Sequence, residues 1–186
     1  INNQSGGTLE ISGTAEIRST ALAAITNYGE TTITGGSITA EQNAIVNRTQ
    51  EAILEISGTA QISSTSSQGN YVTIYNHGET TITGGTISSK KSNVINNQSG
   101  GTLEISGTAE IRGTSQNAPT IYNHGETTIA GGSITAVNSY GLYNLNGATA
   151  TITGGSIISE NSYGVYNQRG ANITIRGGYI SSRYGC

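Results

Sequence analysis

Hydrophobic and polar positions alternate along this chain in short runs that return at near-regular intervals. Each unit opens with an aliphatic residue that is followed two positions later by asparagine, as in Ile25-Thr26-Asn27. A second run, such as Leu103-Glu104-Ile105, and a third run around a single isoleucine follow after turns rich in Gly, Ser and Thr. Period-2 alternation over runs this short predicts β-strands joined by turns, and no stretch keeps a helical period over a useful length.

The units are copies of one another. Ile1–Arg18 is identical to Ile95–Arg112, and the segment IYNHGETTI occurs at Ile74–Ile82 and again at Ile121–Ile129. Such self-similarity predicts a solenoid, in which neighbouring coils together bury one continuous core. We therefore predict an all-β fold, a single right-handed parallel β-helix spanning residues 1–186, with an Ile-rich core. Its eight coils are expected to start near Ile1, Ile25, Ile45, Ile74, Ile95, Ile121, Leu142 and Val165.

One asparagine per coil recurs at the same predicted inward turn. Stacked side-chain amides can hydrogen-bond to one another and to the backbone of neighbouring coils, so we predict a structural ladder. Its members are Asn3, Asn27, Asn47, Asn76, Asn97, Asn123, Asn144 and Asn167. Three glycosylation sequons begin at ladder positions and are expected to be by-products of the repeat. The sequon at Asn172 lies outside the ladder and is the one plausible acceptor for a glycan.

The coil start, the asparagine ladder and the turn Thr32-Ile-Thr-Gly-Gly-Ser-Ile38 resemble the right-handed parallel β-helix repeats of large secreted bacterial surface and adhesin-like proteins. The resemblance covers the whole chain and implies an extracellular or cell-surface location. It does not imply an activity, because the same scaffold carries pectate lyases, polygalacturonases, phage tailspikes and adhesin stalks.

Composition narrows the range of functions. Charged residues make up 10% of the chain and the net charge is −3, with no basic stripe, so no nucleic-acid partner is expected. Lys90-Lys91 is the only adjacent basic pair, and a solvated loop accounts for it. No apolar run approaches the length of a membrane span, so membrane insertion is not expected.

An enzymatic function has little support. The chain contains no aspartate, although β-helix polysaccharide hydrolases and lyases use clustered aspartates as acid, base or calcium ligands. Glu30, Glu79 and Glu126 recur in alternate coils, about 9.6 Å apart at β-strand spacing, beyond the range of an inverting pair. His77 and His124 precede two of them but are too far apart to share one zinc ion. We predict no catalytic residue, no metal and no cofactor.

Repeated threonine pairs on the outer face raise ice binding as another possible function. Thr-x-Thr pairs occur on the predicted outer face at Thr32/Thr34, Thr81/Thr83 and Thr151/Thr153, as in antifreeze solenoids. Intervening coils carry Glu-x-Ser at the same place, so the rank of threonines is broken at every second coil in the first half of the chain. Ice binding is therefore a minor alternative.

Two columns of tyrosine offer a third possibility. Stacked aromatics reinforce pairing between strands, but exposed aromatic rings can also face sugars, so a glycan or partner surface is the main alternative to a purely structural role. The candidate residues are Tyr122, Tyr143 and Tyr166 in one column, and Tyr140, Tyr163 and Tyr184 in the other.

Neither end of the repeat shows the polar cap with which solenoids usually finish. Ile1 and Cys186 fall on the same inward slot, the first of a coil. These two residues are candidates for an end-to-end contact, and either a longer solenoid or stacking of separate chains would explain them. The sequence thus predicts an extracellular structural solenoid, a fibre subunit or stalk segment whose partner is another copy or the rest of a longer solenoid, with polysaccharide as the alternative partner.

Overall fold

A computed structural model describes residues 1–66 and 68–184, and these residues form a parallel β-solenoid without any helix. Each coil contributes three short strands, and each strand of a coil joins a different eight-stranded sheet. The all-β fold, the roughly eight coils and the Ile-rich core predicted from the sequence are confirmed.

Sheet A holds the coil starts. Its strands, in spatial order, are β1 (Asn2–Asn3), β4 (Ile25–Asn27), β7 (Ile45–Asn47), β10 (Ile74–Asn76), β13 (Ile95–Asn97), β16 (Ile121–Asn123), β19 (Leu142–Asn144) and β22 (Val165–Asn167). Pairing is parallel and in register, so the first aliphatic residue of one coil lies directly over that of the next.

Sheet B follows after a tight turn. Its strands are β2 (Thr8–Ile11), β5 (Glu30–Ile33), β8 (Ile53–Ile56), β11 (Glu79–Ile82), β14 (Thr102–Ile105), β17 (Glu126–Ile129), β20 (Thr149–Ile152) and β23 (Asn172–Ile175). Sheet C completes each coil with β3 (Glu16–Ser19), β6 (Ser37–Ala40), β9 (Gln61–Ser64), β12 (Thr86–Ser89), β15 (Glu110–Gly113), β18 (Ser133–Ala136), β21 (Ser156–Ser159) and β24 (Tyr179–Ser182).

The core is a stack of aliphatic side chains. One isoleucine column runs along each sheet, and its central members, such as Ile74, Ile105 and Ile87, are fully or almost fully buried. No single coil could shield these side chains, so their burial depends on the coils above and below.

Glycine allows the turns to approach one another closely. Gly36, in the turn between sheets B and C, has φ +78, and a Cβ there would meet the carbonyl oxygen of Ala15 in the preceding coil. Side-chain-free positions of this kind let one turn sit on the next at strand spacing. Among the described residues, the longest connections between strands lie at the corner between sheets C and A, at residues 65–66 with 68–73 and at residues 114–120.

Candidate functional site

The predicted asparagine ladder is present. The Nδ2 group of each ladder asparagine donates to Oδ1 of the ladder asparagine in the next coil, at 2.8–2.9 Å over all seven steps. Most of these amides also donate to the carbonyl of their own turn and to a carbonyl of the next coil; Asn97, for example, reaches Gly101 O at 3.2 Å and Glu126 O at 2.9 Å. All amide dipoles therefore point the same way along the rod, an arrangement in which hydrogen bonds strengthen one another.

Threonine hydroxyls extend the ladder in alternate coils. Oγ1 of Thr31 donates to Asn27 Oδ1, and Oγ1 of Thr80 donates to Asn76 Oδ1, each at 2.8 Å. The sequence pattern predicts that these threonines face inward, but it does not identify their hydrogen-bond partners. Among the described residues, no buried side-chain polar atom lacks a hydrogen-bond partner. The buried polar side chains at this corner therefore all have hydrogen-bond partners, which a stable buried network requires.

The tyrosines gather into one patch on the outer face of sheet A. The rings of Tyr143 and Tyr166 are stacked with centroids 4.8 Å apart, and those of Tyr140 and Tyr163 are stacked at 6.0 Å. The two columns also touch, since the centroids of Tyr140 and Tyr143 lie 5.2 Å apart. Tyr122 joins at 5.5 Å from Tyr143. These five rings form the tyrosine patch.

The orientation of the rings limits what the patch can offer. Rings stacked along the rod axis cover much of each other's faces, so the patch presents ring edges and hydroxyl groups laterally. Tyr163, just before the last coil, and Tyr166, within it, are the most exposed members, at 42% and 39%. Desolvation, followed by the neighbouring tyrosines, raises the pKa of Tyr143, which keeps its phenol neutral and able to donate a hydrogen bond.

Tyr184, the third member of the second predicted column, is exposed, and the Arg183 guanidinium carbon lies 6.0 Å from its ring centroid. Ile1 is 55% exposed, and its amino group donates to Ala24 O. Cys186 lies outside the described residues. Asn172 is exposed on β23 and remains a candidate for glycosylation, whereas the sequons at Asn3, Asn47 and Asn97 lie in the buried ladder.

The three recurring glutamates lie apart from one another along sheet B. Glu30, Glu79 and Glu126 share one outward column of sheet B and are separated by Ile53 and Thr102 of the intervening coils. Among the described residues, no three His, Cys, Asp or Glu side chains are placed to hold a metal ion.

The two histidines pack on tyrosines instead. The rings of His77 and Tyr75 lie 5.0 Å apart, and those of His124 and Tyr122 lie 4.7 Å apart, both edge-on. Partial burial lowers the pKa of each histidine, and for His77 the positive charge of Arg48 lowers it further. Both are therefore neutral at neutral pH, consistent with a packing role.

The outer face of sheet B has the interrupted pattern that the sequence indicated. Strand register places Thr32 between Glu10 and Glu55, and Thr81 between Glu55 and Glu104. A flat rank of threonines therefore does not form across the first six coils, which argues against an ice-binding face.

The structure has a cationic groove at the corner between sheets C and A. The sequence predicted only a solvated loop at Lys90-Lys91 and not this groove. Its cavity of about 540 Å³ is lined by Ser88, Ser89, Lys90, Lys91, Arg112, Thr114, Ser115, Gln116, Asn117 and Asn138. The signal that could have revealed it is the coil alignment itself, because strand register sets Arg112 beside Ser88 and brings the next loop over the lysines.

Comparisons with protein-family models, curated proteins and solved structures gave no match to this chain. In the described part of the chain, no helix is long and apolar enough to cross a membrane.

Proposed function

We propose that this chain is a structural segment of a surface protein outside the cell, a stalk or fibre subunit whose role is mechanical rather than catalytic. The observation that carries the proposal is the unbroken register of three parallel sheets along one axis, joined by a continuous asparagine ladder. Bending such a rod would stretch hydrogen bonds in three sheets and in the ladder at once, so the assembly is expected to be stiff. The low content of charge and the resemblance to bacterial surface repeats support the location.

End-to-end stacking is the second part of the proposal. Each sheet ends in a strand that is paired on one side only, β1 to β3 at one end and β22 to β24 at the other. At the second end Ile175, which continues a core column, is 53% exposed. Open strand edges with apolar side chains beside them are templates for a further coil, from another copy or from more of the same polypeptide.

Electron microscopy of the purified chain over a concentration series tests both parts. We expect straight rods that lengthen into filaments as concentration rises. Ile175→Lys should shorten the filaments because it places a charge in the stacking surface, whereas Thr174→Lys, on the same strand but facing sideways, should not. Single straight rods at every concentration would overturn end-to-end stacking, and flexible or compact particles would overturn the mechanical role as well.

Glycan binding at the tyrosine patch is a second candidate, favoured by the contiguity of five rings on one face. Neutral polysaccharides that bind the protein, and no longer bind Tyr143→Ala, would support it. Tyr75→Ala is the matched control, because Tyr75 occupies the same slot of sheet A with Val46 and Asn96 as its neighbours. Equal loss of binding in both variants would count against the patch.

A further inference from the structure

The cationic groove between coils four to six is a cavity of about 540 Å³, and the mechanical role makes no use of it. We propose that this groove binds an anionic polysaccharide through the sulfate or carboxylate groups of its sugars. The proposal is independent of the filament proposal and of the tyrosine patch, because it rests only on the groove's side chains.

The side chains that line the groove give it a positive charge. Three of the eight basic residues of the chain, Lys90, Lys91 and Arg112, line this one cavity, and none of the described carboxylate side chains lines it. The whole chain has a net charge of −3, so the groove is a local positive field on an otherwise acidic rod. Concentrated charge of one sign in a concave site attracts ligands of the opposite sign.

The internal duplication places two equivalent arginines in different surroundings. Arg18 and Arg112 end identical sequences and occupy equivalent positions on sheet C. Arg18 donates from Nε to Glu16 at 2.8 Å, whereas within residues 1–66 and 68–184 Arg112 forms no ion pair with Glu110. The same local sequence therefore gives an arginine paired with a carboxylate in the first coil and, at the groove, an arginine without that pair.

The walls of the groove are held in place by bonds between coils. Ser115 Oγ donates to Lys91 O at 3.1 Å, Thr114 Oγ1 to Lys90 O at 3.5 Å, and Asn138 Nδ2 to Thr114 O at 3.4 Å. The backbone amides of Asn117 and Ala118 donate to Ser115 Oγ, which fixes the overhanging loop. A site whose backbone is already ordered loses less entropy when a ligand binds.

The uncharged side chains that line the groove favour an acidic sugar chain over other polyanions. Hydroxyl and amide side chains, including Ser88, Gln116 and Asn117, alternate with the cations and match the hydroxyl groups of sugars. No aromatic side chain lines the groove, whereas single-stranded nucleic acids are usually held by stacking of their bases on aromatic rings. The lining also lacks the large apolar anchors that dominate binding of peptides and proteins.

Isothermal titration calorimetry of the full chain with four polymers tests the proposal: dextran sulfate, polygalacturonate, neutral dextran and a single-stranded oligonucleotide. We expect binding to one or both acidic polysaccharides, weakening as salt rises, and none to neutral dextran. Lys90→Gln/Lys91→Gln and Arg112→Gln should each weaken binding about tenfold or more, through the loss of charge-assisted hydrogen bonds. Arg18→Gln is the matched control and should stay within about twofold of the parent.

The titrations distinguish a specific site in the groove from diffuse attraction to the rod, and a sugar ligand from a nucleic acid. Binding to dextran sulfate alone, or to polygalacturonate alone, supports the groove and identifies the anionic group. Equal losses in Arg18→Gln and Arg112→Gln would show diffuse attraction to the rod and overturn the groove assignment. An oligonucleotide that binds as tightly as either polysaccharide would overturn the assignment to sugars, and no binding to any of the polymers would overturn the site. All four side chains are exposed, so circular dichroism should show unchanged folding in every variant.

Discussion

At the scale of single residues, each asparagine in the middle of the ladder forms several hydrogen bonds through one buried side-chain amide. Asn97 accepts from Asn76 and donates to Asn123, Gly101 and Glu126. Its neighbour Asn96 lies on the same strand but faces outward and contacts Gln98 at the surface. Adjacent asparagines thus have opposite surroundings, which makes them a natural pair for measuring what the ladder contributes.

We predict that Asn97→Ala lowers the free energy of unfolding by about 3 kcal/mol, because it removes one accepted and three donated hydrogen bonds from the buried ladder and leaves a gap in it. Asn96→Ala should cost about 0.5 kcal/mol or less. Urea denaturation followed by circular dichroism measures both. Similar losses in the two variants would contradict a special role for the ladder.

The histidines give a pH dependence whose sign follows from burial. Both have a pKa below the ordinary 6.5, so the unfolded chain takes up protons more readily than the folded one. Stability is therefore unaffected well above pH 6.5 and falls as the pH drops through and below that value.

We expect the melting temperature of the wild type to fall more between about pH 8 and about pH 5 than that of His77→Gln/His124→Gln. Differential scanning calorimetry at a series of pH values over this range measures both proteins. Parallel pH profiles for the two proteins would show that burial of the histidines has no effect on stability.

At the scale of strands, position along the rod decides how much an identical side chain contributes. Ile105 lies in the middle of the sheet B isoleucine column and is fully buried, between Ile82 and Ile129. Ile175 continues the same column in the last coil and is 53% exposed. The two occupy equivalent positions in the same sheet, and they differ in whether a further coil covers them.

Ile105→Ala should therefore lower the free energy of unfolding by about 2–5 kcal/mol, since it removes packed atoms and leaves a cavity. Ile175→Ala should cost less than about 1 kcal/mol, because half of its side chain is already in water. Chemical denaturation compares the two. A large loss for Ile175→Ala would indicate that another coil covers that end in solution.

Strand-level features were the part of this protein that the sequence predicted well. A column such as Ile74, Ile95 and Ile121 repeats because every coil faces the same core, so alignment of the coils alone reveals sheet, register and ladder. The orientation of the tyrosine rings could not be predicted, since it depends on contacts between two columns. Coil alignment places Arg112 beside Ser88 and so near Lys90, but the shape of the cationic groove also depends on the conformation of the loop at residues 114–120, which the repeat does not specify.

At the scale of the whole molecule, every coil pairs only with the coils directly before and after it. The stability of such a rod is a sum of coil and interface contributions, so its length should be adjustable without change of fold. The duplication offers a clean cut, because Thr73 precedes Ile74-Tyr-Asn-His and Thr120 precedes Ile121-Tyr-Asn-His. Deletion of residues 74–120 therefore joins Thr73 to Ile121 and recreates a native sequence across the junction.

We predict that this deletion gives a folded rod shortened by two coils, about 10 Å at the spacing of β-strands. The slope of its denaturation curve in urea should fall with the surface lost, while the β-type circular dichroism remains. Small-angle X-ray scattering measures the change in length. Deletion of residues 74–107 is the control: it joins Thr73, in the loop after a strand of sheet C, to Thr108, in a turn beyond sheet B, so one coil lacks its strands in sheets A and B and we expect the product to unfold or aggregate. A folded control, or an unfolded product of the in-register deletion, would contradict a solenoid governed by neighbouring coils alone.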